Sequence, residues 1–123
     1  MSCEYGTTGM PGTFSCCGGS VPRFTTPTFT LAFDEPDLDL TEATGVYVTF
    51  RNNLAAITKS GNELSIEPRQ IEVMLTQEET GHFGIGKVEI QVNWVTVNGV
   101  RAASTVGSFE IGKQLMQRVV DQS

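Results

Sequence analysis

The chain has one histidine, one tryptophan and no cysteine after position 17. A single histidine rules out histidine-pair metal sites, and no Cys-His dyad, Gly-x-Ser-x-Gly elbow or metalloprotease helix motif can be written from these residues. Basic residues are also sparse. The eight lysines and arginines include no adjacent pair, and the formal net charge is -6. Phosphate contacts need clustered cations, so no nucleic-acid partner is expected. There is no apolar run of about 18 residues, so no membrane-spanning helix is expected. Residues 1–21 have neither a basic start nor an apolar stretch and are not expected to form a secretory signal. The three cysteines, Cys3, Cys16 and Cys17, are odd in number and include an adjacent pair, which argues against a conventional disulfide framework. A zinc site would need a fourth ligand. Reduced thiols in a cytoplasmically made protein are the expectation, with an intermolecular disulfide or a Cys3 link to Cys16 or Cys17 as the alternatives.

One motif invites a nucleotide. In "GHFGIGKV", Gly81 is followed after four residues by Gly86 and Lys87, the spacing of a phosphate loop. That loop also needs a Ser or Thr after the lysine and a helix whose N-terminus holds the phosphates. Here Val88 follows, and "VEIQVNWVTV" alternates as a strand does. A glycine-rich turn before a strand is predicted, and no cofactor.

The 123 residues are long enough for one domain with its own core, and the 39% hydrophobic and 18% charged content fits a β-rich fold. Residues 1–22 are rich in Gly, Ser, Thr and Cys and show no period, which predicts a flexible N-terminal arm. From Pro27 onward short alternating runs appear. They place Phe29, Leu31 and Phe33 on one face, then Val46, Val48 and Phe50, then Leu64 and Ile66, then Ile71, Val73 and Leu75. "AAITKS" reads as an edge strand. "QEETGHFGIG" reads as a polar turn with a short helical turn ended by Gly81. The strongest local signal is two long β-runs joined by Asn98-Gly99, which predicts a hairpin with a type I′ turn. Val88, Ile90, Val92 and Trp94 share a face there, Phe109 and Ile111 answer them, and a bulge or bend is expected near Gly107. Residues 113–123 read as a short C-terminal helix or docking tail, since Leu115, Met116, Val119 and Val120 recur at near-helical spacing. The fold predicted for residues 23–112 is all-β: an antiparallel, immunoglobulin-like β-sandwich of about seven strands. The Cys…Trp…Cys signature of true immunoglobulin domains is absent.

Candidate chemistry is thin. His82 sits in a glycine-rich turn and reads as solvated. Asp34, Glu35, Asp37, Asp39 and Glu42 form an acidic loop with oxygen ligands suited to Ca²⁺, yet it lacks the glycine and closing glutamate of a helix-loop-helix calcium site. A solvated loop whose Asp and Thr side chains cap a helical turn is the preferred reading. Trp94, Tyr47 and Tyr5 would make a sugar-stacking platform if exposed, but a mid-strand tryptophan beside three aliphatic residues reads as core. No catalytic constellation emerges, and no enzyme is expected.

The strand starts and turns carry a resemblance. "RFTTPTFTLAFD", "LTEATGVYVTFR", "ITKSGNELSIEPRQIEVMLTQEETGHF" and "KVEIQVNWVTVNGVRAASTVGSFEI" resemble small structural proteins of tailed bacteriophages and prophages. The order of elements is similar to the N-terminal domain of phage baseplate upper proteins. The matching positions are Thr26-Pro27-Thr28, Leu40 to Phe50, Leu75 to Thr80 and Ala103-Ser104, and coverage runs over roughly residues 23–112. Residues 1–22 depart from the pattern. The resemblance implies a non-enzymatic virion structural protein of tail, baseplate or neck, made in the host cytoplasm, with other virion proteins and copies of itself as partners. Its nearest rival is a capsid decoration protein, and a host-surface or carbohydrate-binding module is the second alternative. Edge strands of a small sandwich accept an added strand through main-chain hydrogen bonds. The two chain ends are therefore the expected gripping elements, through Cys3, Tyr5 and Phe14 on one side and Leu115, Met116, Val119 and Val120 on the other.

Overall fold

The computed structural model describes residues 2–7, 14–15, 20–113 and 115. Among these the chain forms eleven strands, one short α-helix and two 3-10 turns. The strands are β1 (Ser2–Thr7), β2 (Phe14–Ser15), β3 (Ser20–Pro22), β4 (Pro27–Ala32), β5 (Gly45–Arg51), β6 (Ala56–Ser60), β7 (Leu64–Glu67), β8 (Gln70–Met74), β9 (Gly86–Val95), β10 (Arg101–Ala103) and β11 (Gly107–Gly112). The helix, α1, spans Gln77–Phe83. One sheet has the order β2-β1-β4-β8-β7, and the other β3-β11-β9-β5-β6, with β10 paired to the far end of β9. All pairings are antiparallel except β3 with β11, which is parallel.

The two sheets face each other because each strand alternates. Phe29 and Leu31 from β4 and Ile71 and Val73 from β8 point one way. Val46, Val48 and Phe50 from β5, Val88, Ile90, Val92 and Trp94 from β9, and Phe109 and Ile111 from β11 point back at them. The ring of Phe29 lies 5.3 Å from that of Phe50 and 4.8 Å from that of Phe109, so one side chain joins two strands of the opposite sheet. At the end of the sandwich where β9 finishes, Phe33 meets Trp94 edge-on at 5.8 Å. The fold is an all-β sandwich.

Several expectations are corrected. Eleven described strands replace about seven. The stretch expected to be an arm is built into both sheets where it is described: β1 pairs with β4 from Ser2↔Ala32 to Thr7↔Pro27, and β3 runs beside β11 with Val21 fully buried. The reason is that β4 offers an unfilled ladder edge. A Gly- and Thr-rich segment, unable to order itself, orders by adding to it. Cys3 is disulfide-bonded rather than a reduced thiol, while Cys16 and Cys17 lie outside the described residues.

The predicted hairpin is present with a different turn. Thr96 and Val100 close a three-residue loop, through Thr96 N–H to Val100 O at 2.9 Å and Gly99 N–H to Thr96 O at 2.9 Å. Gly99 alone has positive φ, at 80°, so this is a type I turn followed by a left-handed glycine, not a type I′ turn. The bulge lies where expected. β10 pairs Ala103 with Asn93 and β11 pairs Gly107 with Ile90, so three residues on the return strand face two on β9. Ser104 fills the gap, its hydroxyl accepting from Val92 N–H at 3.0 Å. Helix α1 continues through Gly81 and ends at Gly84, where φ is 71°. Gly81 serves packing instead. A Cβ there would collide with the ring of Phe24, which itself adopts φ 62°. After Lys87 the chain is strand β9, so the phosphate-loop spacing opens onto no helix.

Two stability outcomes follow from these contacts. Phe29→Ala should lower the unfolding free energy by about 3–5 kcal/mol, read from urea denaturation, as for other large aromatic truncations in cores. Removing residues 1–22 should abolish cooperative thermal unfolding, because it strips β1 from β4 and takes Val21 out of the core. A truncated chain with an unchanged melting temperature would show these strands to be dispensable.

Candidate interaction surface

The long axis of β9 gives the sandwich two ends, about 30 Å apart for ten residues. At the first end lie α1, the Pro22–Pro27 connection, the loop after β5 and the start of β9. Asn52 donates from Nδ2 to Phe83 O at 2.6 Å and accepts at Oδ1 from the amides of Leu54 and Ala55, which fixes that loop against the helix end. Leu54 and Ile85 are left exposed there. Arg23 reaches across to the same helix. Its Nε and Nη2 donate to Gly81 O at 3.0 and 2.6 Å, and its guanidinium stands 4.7 Å over the Phe24 ring. A cation on the last carbonyls of a helix also matches the helix dipole.

Helix α1 starts with a capping box. Thr76 Oγ1 accepts from Glu79 N–H at 3.2 Å, and Glu79 Oε1 accepts from Thr76 N–H at 2.8 Å. The same Oε1 receives Lys59 Nζ at 2.7 Å, and Glu63 lies 3.7 Å from that ammonium. Lys59 belongs to β6, the edge of its sheet, yet it is buried with its charge turned inward. An inward charge on an edge strand deters another chain from pairing there. Burial pushes the Glu79 carboxyl upward, but the Lys59 hydrogen bond, the Thr76 amide, the Lys59 charge and the Thr76 hydroxyl together outweigh it and hold the group below its ordinary range.

At the second end lie the acidic loop, the start of β5 and the tip of the β9–β10 hairpin. Thr44 N–H donates to Val95 O at 2.8 Å, joining them. Asp39 caps the 3-10 turn Leu40–Glu42, accepting from Thr41 N–H at 3.0 Å and from the Thr41 hydroxyl. Asp37, Asp39 and Glu42 are exposed and, among the described residues, enter no ion pair. Among the described residues no group of three or more His, Cys, Asp or Glu is arranged to hold a metal ion. Val97 and Val100 stand exposed on the hairpin tip.

Concavities open between these elements. One of about 510 Å³ runs from Leu40 and Thr44 past Tyr47 to Ser60 and Ile66. A second of about 300 Å³ lies on the outer face of β5 and β9, between Thr49, Arg51, Glu89, Gln91 and Asn93. A third, about 200 Å³, combines Asp37, Asp39 and Glu42 with Trp94 and Val97. His82 is exposed on the last turn of α1.

The expected gripping residues are placed unevenly. Cys3 is half-buried against the core in β1. Tyr5 and Phe14 are brought opposite each other as Cα partners of β1 and β2. Leu115 is 89% exposed just past β11, while Met116, Val119 and Val120 lie outside the described residues. Leu54, Ile85, Val97 and Val100 were missed, since single apolar residues in loops have no period to signal them. Trp94 is buried and Tyr47 is 42% exposed, so the two do not form the exposed aromatic platform that a sugar-binding reading requires. Compared with known proteins, the chain matches no family model and no curated sequence.

The Glu79 contacts predict an acid-labile element. Folded Glu79 holds its proton less tightly than the unfolded chain does, so its contribution is complete above the unfolded value and is lost as pH falls through the lower folded one. Glu79→Gln should therefore lower the melting temperature at neutral pH. The gap to wild type should close on acidification through the carboxylate range. A gap that stays constant with pH would show the Lys59 pair to contribute nothing.

Proposed function

We propose that this protein is a non-enzymatic structural component of a tailed-phage virion, of tail, baseplate or neck, working through protein-protein contacts among its own copies and other virion proteins. The observation that carries the assembly reading is the pair of exposed apolar patches at the two ends of the sandwich, Leu54 with Ile85 and Val97 with Val100. Patches at opposite ends suit head-to-tail contact, which closes into rings or continues as a stack. Each contact is small, and repetition around a symmetric assembly multiplies it. The phage assignment rests on the sequence resemblance over residues 23–112. Within it the immunoglobulin-like description refers to two facing sheets of that general size. Capsid decoration uses the same surfaces on a different partner and is the second reading. The carbohydrate-binding reading is disfavoured by the burial of Trp94.

Light scattering on the purified protein, with and without reductant, tests this. A discrete oligomer that survives reduction is expected, and Leu54→Asp combined with Ile85→Asp should return it to a monomer without changing the melting temperature. A wild-type monomer in both conditions would overturn self-assembly through these ends.

A further inference from the structure

The acidic end of the sandwich contains a pocket lined by both carboxylates and apolar side chains. Its volume is about 200 Å³, and its walls are Asp37, Leu38, Asp39, Glu42, Ala43, Trp94, Thr96 and Val97, so carboxylates ring a partly apolar hollow. The three carboxylates are exposed and form no ion pair among the described residues. Trp94 is a separate observation. It lines this pocket and is 8% exposed, its ring meets Phe33 edge-on within the core, and among the described residues its indole N–H has no hydrogen-bond acceptor. A buried donor without an acceptor is costly, and a ligand that supplies one removes the cost.

We propose that this pocket binds a lysine or arginine side chain presented on a peptide segment of a partner protein. The ligand must bring a cation for the carboxylates, an apolar stem for Leu38, Ala43 and Val97, and an oxygen acceptor for the indole. A basic residue in a peptide carries all three, since its ammonium or guanidinium ends an aliphatic stem whose root has a backbone carbonyl. The face of an indole also attracts a cation. A bare metal ion is served poorly, because Asp37, Asp39 and Glu42 are not grouped to hold one and, Thr96 apart, the other walls are largely apolar. The net charge of -6 adds a long-range attraction for a basic partner. The pocket lies beside Val97, so the same partner would cover that exposed residue on docking. This site stands apart from the assembly reading, since it requires neither a virion nor self-association.

Trp94 is the only tryptophan, so its indole N–H resonance and its fluorescence report on this site alone. The full chain is titrated into the millimolar range with N-acetyl-arginine amide, N-acetyl-lysine amide and the neutral N-acetyl-glutamine amide. A saturable movement of the Trp94 signals is expected with the two basic probes, weakening as salt is added. Asp37→Asn and Glu42→Gln alter exposed groups that make no side-chain hydrogen bond among the described residues. Each should weaken binding about two- to fivefold, the range for solvent-exposed ion pairs. No saturable movement, an equal response to the glutamine probe, or unchanged affinity in both variants would overturn the proposal.

Discussion

The contact of Phe29 with Phe50 and Phe109 joins one sheet to two strands of the other, and the remaining architecture is arranged around it. With rings 5.3 and 4.8 Å apart, the facing sheets are held at side-chain contact, and every strand that adds to either sheet must direct its alternate residues into the same layer. That requirement draws in β1 and β3 from the N-terminal stretch and seats Val21 in the core. It also consumes the large side chains. Phe33, Phe83 and Trp94 are all buried, and among the described residues Tyr47 is the aromatic side chain left exposed on a sheet face.

Strand addition is restrained at two places in the sheets. The β6 edge is occupied by an inward lysine tied to Glu79, and β4, which would otherwise be an edge, is covered by β1. The end carrying α1 is tied down by Arg23 on the Gly81 carbonyl and by Asn52 on the Phe83 carbonyl. Phe24 accepts an unfavourable positive φ there because its ring gains a place over the glycine surface and beneath the Arg23 guanidinium. The opposite end is acidic, and there Arg69 donates to the Pro36 carbonyl and Thr44 to the Val95 carbonyl. The two ends of one small sandwich thus differ in charge, which gives the molecule a direction.

Much of the inward pattern was legible because a strand has a period of two. Phe29, Leu31, Val46, Val48, Phe50, Ile71, Val73, Val88, Ile90 and Val92 are where simple alternation puts them. The hairpin was legible from Asn98-Gly99, but its turn type was not, because one added loop residue leaves Asn98 outside the positive-φ region. The helix end was misread at Gly81, where glycine answers to Phe24, more than fifty residues away, and not to the backbone of its own turn. The state of Cys3 depends on what lies across from β1, which residue spacing alone leaves open.

The sequence by itself determined that this is an all-β chain, which faces its strands bury, where the bulge falls and that Trp94 belongs to the core, because each follows from local period and residue type. Only the tertiary structure decided that residues 2–7 and 20–22 are strands, that Lys59 is buried, and that an acidic loop lies beside a tryptophan more than fifty residues away. Those are pairings between distant segments. Their free energy depends on which edge or hollow is left to be filled, and that is known only once the other strands are in place.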